Sequence, residues 1–168
     1  MNKALLVIDV QRVFIGEGHH KLFDYREDLL SDINGIIEDN KDNTVIYIYN
    51  YMKRNFINKL APFHMYENTF ESEPAEALNI ISDYKFVKYE GNAFSNPDLD
   101  KLLKEKGIDT VEVIGLDGGA CVPMTALGAA EKGYKVIVNS KGTDTFKLRA
   151  NRKRKLEKKL KELGAEFK

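Results

Sequence analysis

Short apolar runs alternate with stretches of helical periodicity along this chain, and few folds accept that alternation. Ala4-Leu-Leu-Val-Ile, Thr44-Val-Ile-Tyr-Ile-Tyr49, Tyr84-Lys-Phe-Val-Lys88, residues 110–115 and Tyr134-Lys-Val-Ile-Val-Asn139 read as strands, with Ala165-Glu-Phe167 as a candidate sixth. Between them, Phe23 to Asp39 places Leu29, Leu30, Ile33, Ile36 and Ile37 at helical spacing, and Pro74 to Ile81 reads as a short helix. Asn96-Pro97-Asp98 supplies a cap, a first-turn proline and an acid for a helix ending at Gly107. A last helix covers roughly 150–163. Such an order predicts one α/β domain over residues 1–168. It is a three-layer, doubly wound parallel sheet of about six strands, in the order 3-2-1-4-5-6, with helices on both faces.

That strand order puts the first and fourth strands side by side, and three chemically active residues fall at strand ends. The first strand stops at Asp9 and the third at Lys88. After the fourth comes a glycine-rich turn and then Cys121, the only cysteine, with Pro123 fitting the first helical turn and Gly133 the residue past its end. Free N–H groups and the dipole at a helix start favour thiolate over thiol. A lone cysteine is more often an inert buried hydrophobe, an acid after a first strand serves many ends, and a surface lysine is the default. Convergence argues otherwise: Asp9 and Cys121 face each other across the switch point. Lys88 lies two strands from Asp9, about 10 Å by strand spacing, which its stem can largely bridge.

Composition narrows the class. The chain has 43% hydrophobic and 31% charged residues with zero formal net charge, which gives no general attraction to nucleic acid or anionic membranes. Its apolar runs fall far short of the roughly 20 residues of a membrane span. Met1-Asn-Lys leads straight into a strand without a leader-like segment, and a single cysteine suits a reducing compartment, so a cytoplasmic location is expected.

Leu6-Val-Ile-Asp9-Val-Gln11, Val87-Lys88 with Asn92-Ala-Phe94, and Gly115 to Cys121-Val122 with Thr125-Ala126 resemble, in order, the isochorismatase-like cysteine hydrolases. That family includes nicotinamidases, N-carbamoylsarcosine amidohydrolases and isochorismatases. The resemblance implies a Rossmann-like six-stranded sheet and an Asp9–Lys88–Cys121 catalytic set. It also implies a cis peptide between Leu116 and Asp117, and an oxyanion hole from the backbone N–H groups of Asp117 and Cys121. Gln11, Phe14, Asn50, His64, Gly118 and Gly119 are the substrate-pocket candidates, Phe14 as an aromatic wall or simply core. The expected reaction is hydrolysis of a small carboxamide or related C–N bond through a cysteine thioester. Vinyl-ether hydrolysis and a lapsed binding module are the alternatives.

Departures from the family pattern bear on cofactors. Where its metal-binding members place an aspartate and a histidine after the second strand, this chain has Asn50 and Met52, and His64 stands alone. One histidine with an asparagine is a poor metal site, so no metal and no other cofactor is expected. Gly118-Gly119-Ala120 is barer than the family's usual residues there, which leaves more room or fewer substrate contacts. Nine lysines and arginines within Lys147–Lys161 are broken by Glu157 and carry Leu156, Leu160 and Leu163 at helical spacing, the pattern of a solvated amphipathic helix rather than a nucleic-acid surface. Tyr51, Phe56, Ile57, Leu60, Phe63, Met65, Tyr66 and Phe70 crowd the irregular stretch 50–73. They predict a cover for the site and a homodimer or larger homo-oligomer.

Overall fold

The computed structural model describes residues 2–168. Six strands, β1 (Lys3–Ile8), β2 (Thr44–Asn50), β3 (Lys85–Lys88), β4 (Thr110–Gly115), β5 (Lys135–Thr143) and β6 (Glu166–Phe167), form one sheet in the order β3-β2-β1-β4-β5-β6. Every pairing is parallel. The central strands β1 and β2 are apolar without alternation because both faces are covered. On one face, α1 (Leu29–Asp39) buries Leu29, Ile33, Ile36 and Ile37 against Leu5, Val7 and Tyr47. On the other, α3 (Pro97–Glu105), α4 (Cys121–Glu131) and α5 (Ala150–Glu162) bury Leu99, Leu103, Val122, Ala126 and Leu160 against Leu6, Ile8 and Val113. A one-turn helix, α2 (Phe56–Lys59), lies in the 50–73 stretch. No described helix is long and apolar enough to cross a membrane.

Two expected helices change. The first begins at Leu29 rather than Phe23, and residues 23–26 run outside any helix or strand. The segment Pro74–Ile81 is not a helix, because tertiary partners take its backbone groups. Pro74 bridges Gln11, Ala75 N donates to Val10 O, and Asn34 binds both Ala77 O and Asn79 N. The Tyr47 hydroxyl donates to Asn79 O and accepts from Ile81 N.

Register places the site. Ile8 lies opposite both Ile48 and Gly115, and Asn50 opposite Lys88, so Asp9, Lys88 and the β4–α4 turn emerge at one carboxyl edge. At Gly115, with φ +108, a Cβ would fall 2.1 Å from Ile8 O, so the close approach of β1 and β4 requires glycine. Between β4 and β5 the register shifts at Val113/Gly115, and such irregularities re-aim a strand end. The chain beyond Thr143 then turns over the β4–α4 turn, where Gly118 N donates to Asp144 O at 2.8 Å.

Candidate active site

Asp9 follows β1 in the left-handed region, φ 53, a conformation that aspartate tolerates better than most residues and that marks functional turns. Lys88 ends β3 with its ammonium fully buried; Nζ donates to Asp9 Oδ2 at 2.8 Å and to Glu90 O at 3.0 Å. Its stem therefore spans the intervening strand β2. The second oxygen, Asp9 Oδ1, is buried without a hydrogen-bond partner. Burial raises the Asp9 carboxyl above its ordinary value, with Lys88 and Cys121 pulling the other way. Desolvation opposes the Lys88 charge, yet Asp9 and Cys121 outweigh it and hold the ammonium above its usual range.

Cys121 opens α4 and lines the cavity. The residue as a whole is half-buried, but desolvation pushes its thiol up to about 12, Asp9 adding to the rise and Lys88 opposing it. Burial thus works against the preference for thiolate that the helix start confers. In the preceding turn the Leu116–Asp117 peptide is cis. Ala120 N and Val122 N both donate to Asp117 O, while the N–H groups of Asp117 and Cys121 have no acceptor among the described residues.

The cavity beside these groups measures about 270 Å³. Phe14, Phe23, Tyr25, Phe63 and Met65 form an apolar wall, with Asn50, Asp117, Met124, Arg149 and Arg152 around it. Phe23 stands edge-on to Phe14 and Phe63 at centroid distances of 4.8 and 5.0 Å. Of the pocket candidates, Phe14 and Asn50 therefore line this cavity, and Gln11, His64, Gly118 and Gly119 do not. Gln11 is fully buried away from the cavity; its amide nitrogen donates to Asn50 O and Ser72 O, and its oxygen accepts from Asn50 N. His64 lies in a neighbouring groove, stacked on Tyr66 at 5.2 Å.

Gly118 and Gly119 leave no extra room. A Cβ on Gly118 would meet Thr145 Oγ1 at 2.5 Å, and one on Gly119 would meet Arg149 Cβ at 2.8 Å. The bareness of that turn serves the close approach of the segment after β5.

Tyr25, Arg149, Arg152 and the Asp117 side chain escaped the sequence reading. The Asp117 carboxylate accepts from Gly119 N at 2.7 Å, Phe146 N at 3.1 Å and the Tyr25 hydroxyl at 3.2 Å, and Arg149 Nη1 lies 3.8 Å from it. One signal for Tyr25 and Arg149 was available: they lie in the connections after β1 and β5, and such connections border the crevice of a doubly wound sheet. The described residues contain no group of three or more His, Cys, Asp or Glu side chains able to hold a metal. With Asn50 the only polar neighbour from β2 and His64 elsewhere, the residues present do not fit a bound metal ion.

A Rossmann-like parallel sheet carrying acid, amine and thiol at its switch point has the architecture of a small hydrolase. The isochorismatase domain model matches residues 3–166, and the chain belongs to the isochorismatase family. An isochorismatase-like hydrolase from Alkaliphilus metalliredigens superposes with TM-score 0.85 at 29% identity, covering 99% of this chain and 94% of that one. N-carbamoylsarcosine amidase from Thermoplasma acidophilum superposes with TM-score 0.84 at 25% identity, over 100% and 96%. An uncharacterised isochorismatase family protein of Bacillus subtilis, YwoC, is 36% identical over 64 residues, 38% of this chain and 34% of that protein. YecD of Escherichia coli O157:H7, likewise uncharacterised, is 28% identical over 78 residues, 46% and 42%. The sequence matches thus span well under half of these two relatives.

Proposed function

We propose that the protein hydrolyses a small carboxamide, or a related C–N bond, through a thioester on Cys121. The observation that carries this reading is the buried Lys88–Asp9 pair beside Cys121, with one carboxylate oxygen left free. Asp9 takes the thiol proton as sulfur attacks the carbonyl carbon, then delivers it to the departing nitrogen. Water, deprotonated by Asp9, cleaves the thioester and returns the thiol. Burial pushes the thiol up and so favours its protonated form, which gives Asp9 a proton to accept. Lys88 favours the ionised form of Asp9 in a site whose burial opposes the charge. The unpaired N–H groups of Asp117 and Cys121 receive the developing oxyanion, a contribution of several kcal/mol in comparable sites. A carbonyl substrate needs those donors, whereas ether hydrolysis does not, which ranks the amide reading first. The likeness to the Thermoplasma N-carbamoylsarcosine amidase points the same way.

Ammonia release from a panel of small carboxamides tests the reading. The Asp9 carboxyl is raised, and only its ionised form accepts the thiol proton. Activity should therefore fall on the acid side at a pH above the ordinary aspartate value of about 3.9. An acid limb at or below that value, or ammonia release from none of the panel, would count against Asp9 as the base. Turnover should also survive exhaustive chelation, and elemental analysis finding about one zinc or iron per chain would overturn the metal-free reading.

The same proposal extends to self-association. Phe56, Ile57 and Leu60 of the 50–73 stretch are 77%, 78% and 73% exposed, while Phe63 and Met65 from that stretch line the cavity. A second copy covering the exposed three would tie assembly to the site. Light scattering should give at least twice 19.2 kDa at micromolar concentration, and a fully active monomer would sink the idea.

A further inference from the structure

The turn between β4 and α4 poses a problem of rigidity. It carries the two N–H groups that the proposed reaction uses as oxyanion donors, those of Asp117 and Cys121, with Gly118 and Gly119 between them. Glycine gives up more conformational freedom on folding than any other residue, so a Gly-Gly step does not by itself hold two donors in place. The start of α4 adds no anchor, since its N-cap, Ala120, makes no side-chain bond to the backbone. What meets the turn instead is the Asp117 carboxylate, buried at 5% exposure. One oxygen accepts from Gly119 N at 2.7 Å, and the other accepts from Phe146 N at 3.1 Å and the Tyr25 hydroxyl at 3.2 Å. Arg149 stands further off at 3.8 Å, so three neutral donors are the close partners of this acid.

We propose that the Asp117 side chain is a positioning residue for acyl transfer: its carboxylate fixes the turn so that the N–H groups of Asp117 and Cys121 meet the oxyanion together. This rests on the hydrolase reading above and deepens it. The bond to Gly119 N ties the turn to a side chain two residues back, a local closure that aspartate makes readily. With Gly119 held, Asp117 O receives Ala120 N at 2.9 Å and Val122 N at 3.3 Å, which sets the first turn of α4 and Cys121 within it. The second carboxylate oxygen fastens this unit to the connections after β1 and β5 through Tyr25 and Phe146. Gly118 N adds a bond to Asp144 O at 2.8 Å, and the Asp144 carboxylate accepts from Arg26 N at 2.9 Å. Two acids thus hold all three connections that border the cavity. Donors act in full only when they stand about 2.7–3.1 Å from the oxyanion, and a misplacement of about 1 Å costs on the order of 10²-fold in rate.

Two reagents that need no natural substrate separate this role from ordinary packing, and the single cysteine makes their target unambiguous. Iodoacetamide alkylates Cys121 by displacing iodide, with no oxyanion on the way. 4-Nitrophenyl acetate acylates it through one: sulfur adds to the ester carbonyl, 4-nitrophenolate leaves, and the thiol proton passes to Asp9. Asp117→Ala retains both N–H donors, yet it should slow acylation by about 30-fold or more while alkylation changes by less than about threefold. Asp117→Asn has one acceptor oxygen for the two sides of the turn, so its acylation should fall by about fivefold or more, short of the alanine loss. That near-isosteric variant decides the matter if Asp117→Ala does not fold. Acylation is read from the nitrophenolate burst, with Cys121→Ala as the background. Equal changes in the two rates would reduce Asp117 to a structural acid and overturn the inference, as would an unchanged burst rate in Asp117→Asn. Wild-type protein that is alkylated at Cys121 but never acylated would sink the hydrolase reading and the inference together, whereas normal acylation with an unmoved ratio in the variants sinks the inference alone.

Discussion

Replacing Cys121 by alanine should remove amide hydrolysis, lowering kcat by on the order of 10³-fold or more, while the fold survives. The side chain sits at the first position of α4, half-buried, so the change removes one sulfur from the cavity edge rather than from the packed interior. Serine is the more searching replacement. With the cysteine thiol already pushed up to about 12, a hydroxyl, intrinsically less acidic still, asks more of Asp9 than the site supplies, so Cys121→Ser should be nearly as inactive as Cys121→Ala. Intact-mass analysis after rapid acid quench should find an acyl adduct on the unmodified protein and none on either variant. If Cys121→Ala retained a tenth of the activity, or the adduct mapped to another residue, the thioester reading would be finished.

Lys88→Met should cost both activity and stability, and the two losses have separable causes. The ammonium is fully buried, and its removal leaves both oxygens of Asp9 without a partner in a desolvated site. Breaking one side of a buried ion pair typically costs about 3–5 kcal/mol. Asp9 can escape part of that cost by taking up a proton, since burial already raises its pKa. Once protonated it no longer serves as a base, and activity should fall by roughly 10²–10⁴. Adding Asp9→Asn to Lys88→Met removes the stranded carboxylate, so the double variant should be more stable than Lys88→Met alone and no more active. Urea unfolding of the wild type, the two single variants and the double variant measures the coupling. Additive losses, or a Lys88→Met enzyme with unchanged rate and stability, would show that the pair does not act as a unit.

The sheet, and the meeting of Asp9, Lys88 and Cys121 at its carboxyl edge, were legible because both follow from short-range rules. Apolar runs such as Leu5–Ile8 and Val45–Ile48 cannot face water on either side, and alternation with helices leaves parallel order with right-handed crossovers as the economical solution. Once β1 and β4 are neighbours, whatever follows Ile8 and Gly115 meets at the switch point, so Asp9 and Cys121 were readable from position alone. Lys88 needed only the strand spacing and the length of its stem.

The walls of the cavity were not readable in that way, because their placement depends on partners distant in sequence. Phe23 and Tyr25 continue a helical pattern, yet Phe63, Phe146 and the Asp117 carboxylate hold them out of α1 and against the cavity. The backbone of 74–81 gives up helical bonds for Val10, Asn34 and Tyr47. Gln11 looks like a pocket residue until the free backbone groups of Asn50 and Ser72 claim its amide, and the space beside Gly118 and Gly119 is filled by Thr145 and Arg149 from more than twenty residues away. The resting state of Cys121 belongs with these. The helix start beside it is visible in the amino-acid order, but the burial that raises its thiol arises only once the chain has folded around it. Periodicity and chain order thus specify the sheet and which residues reach its carboxyl edge, whereas long-range packing sets the cavity's shape and the burial of the sulfur beside it.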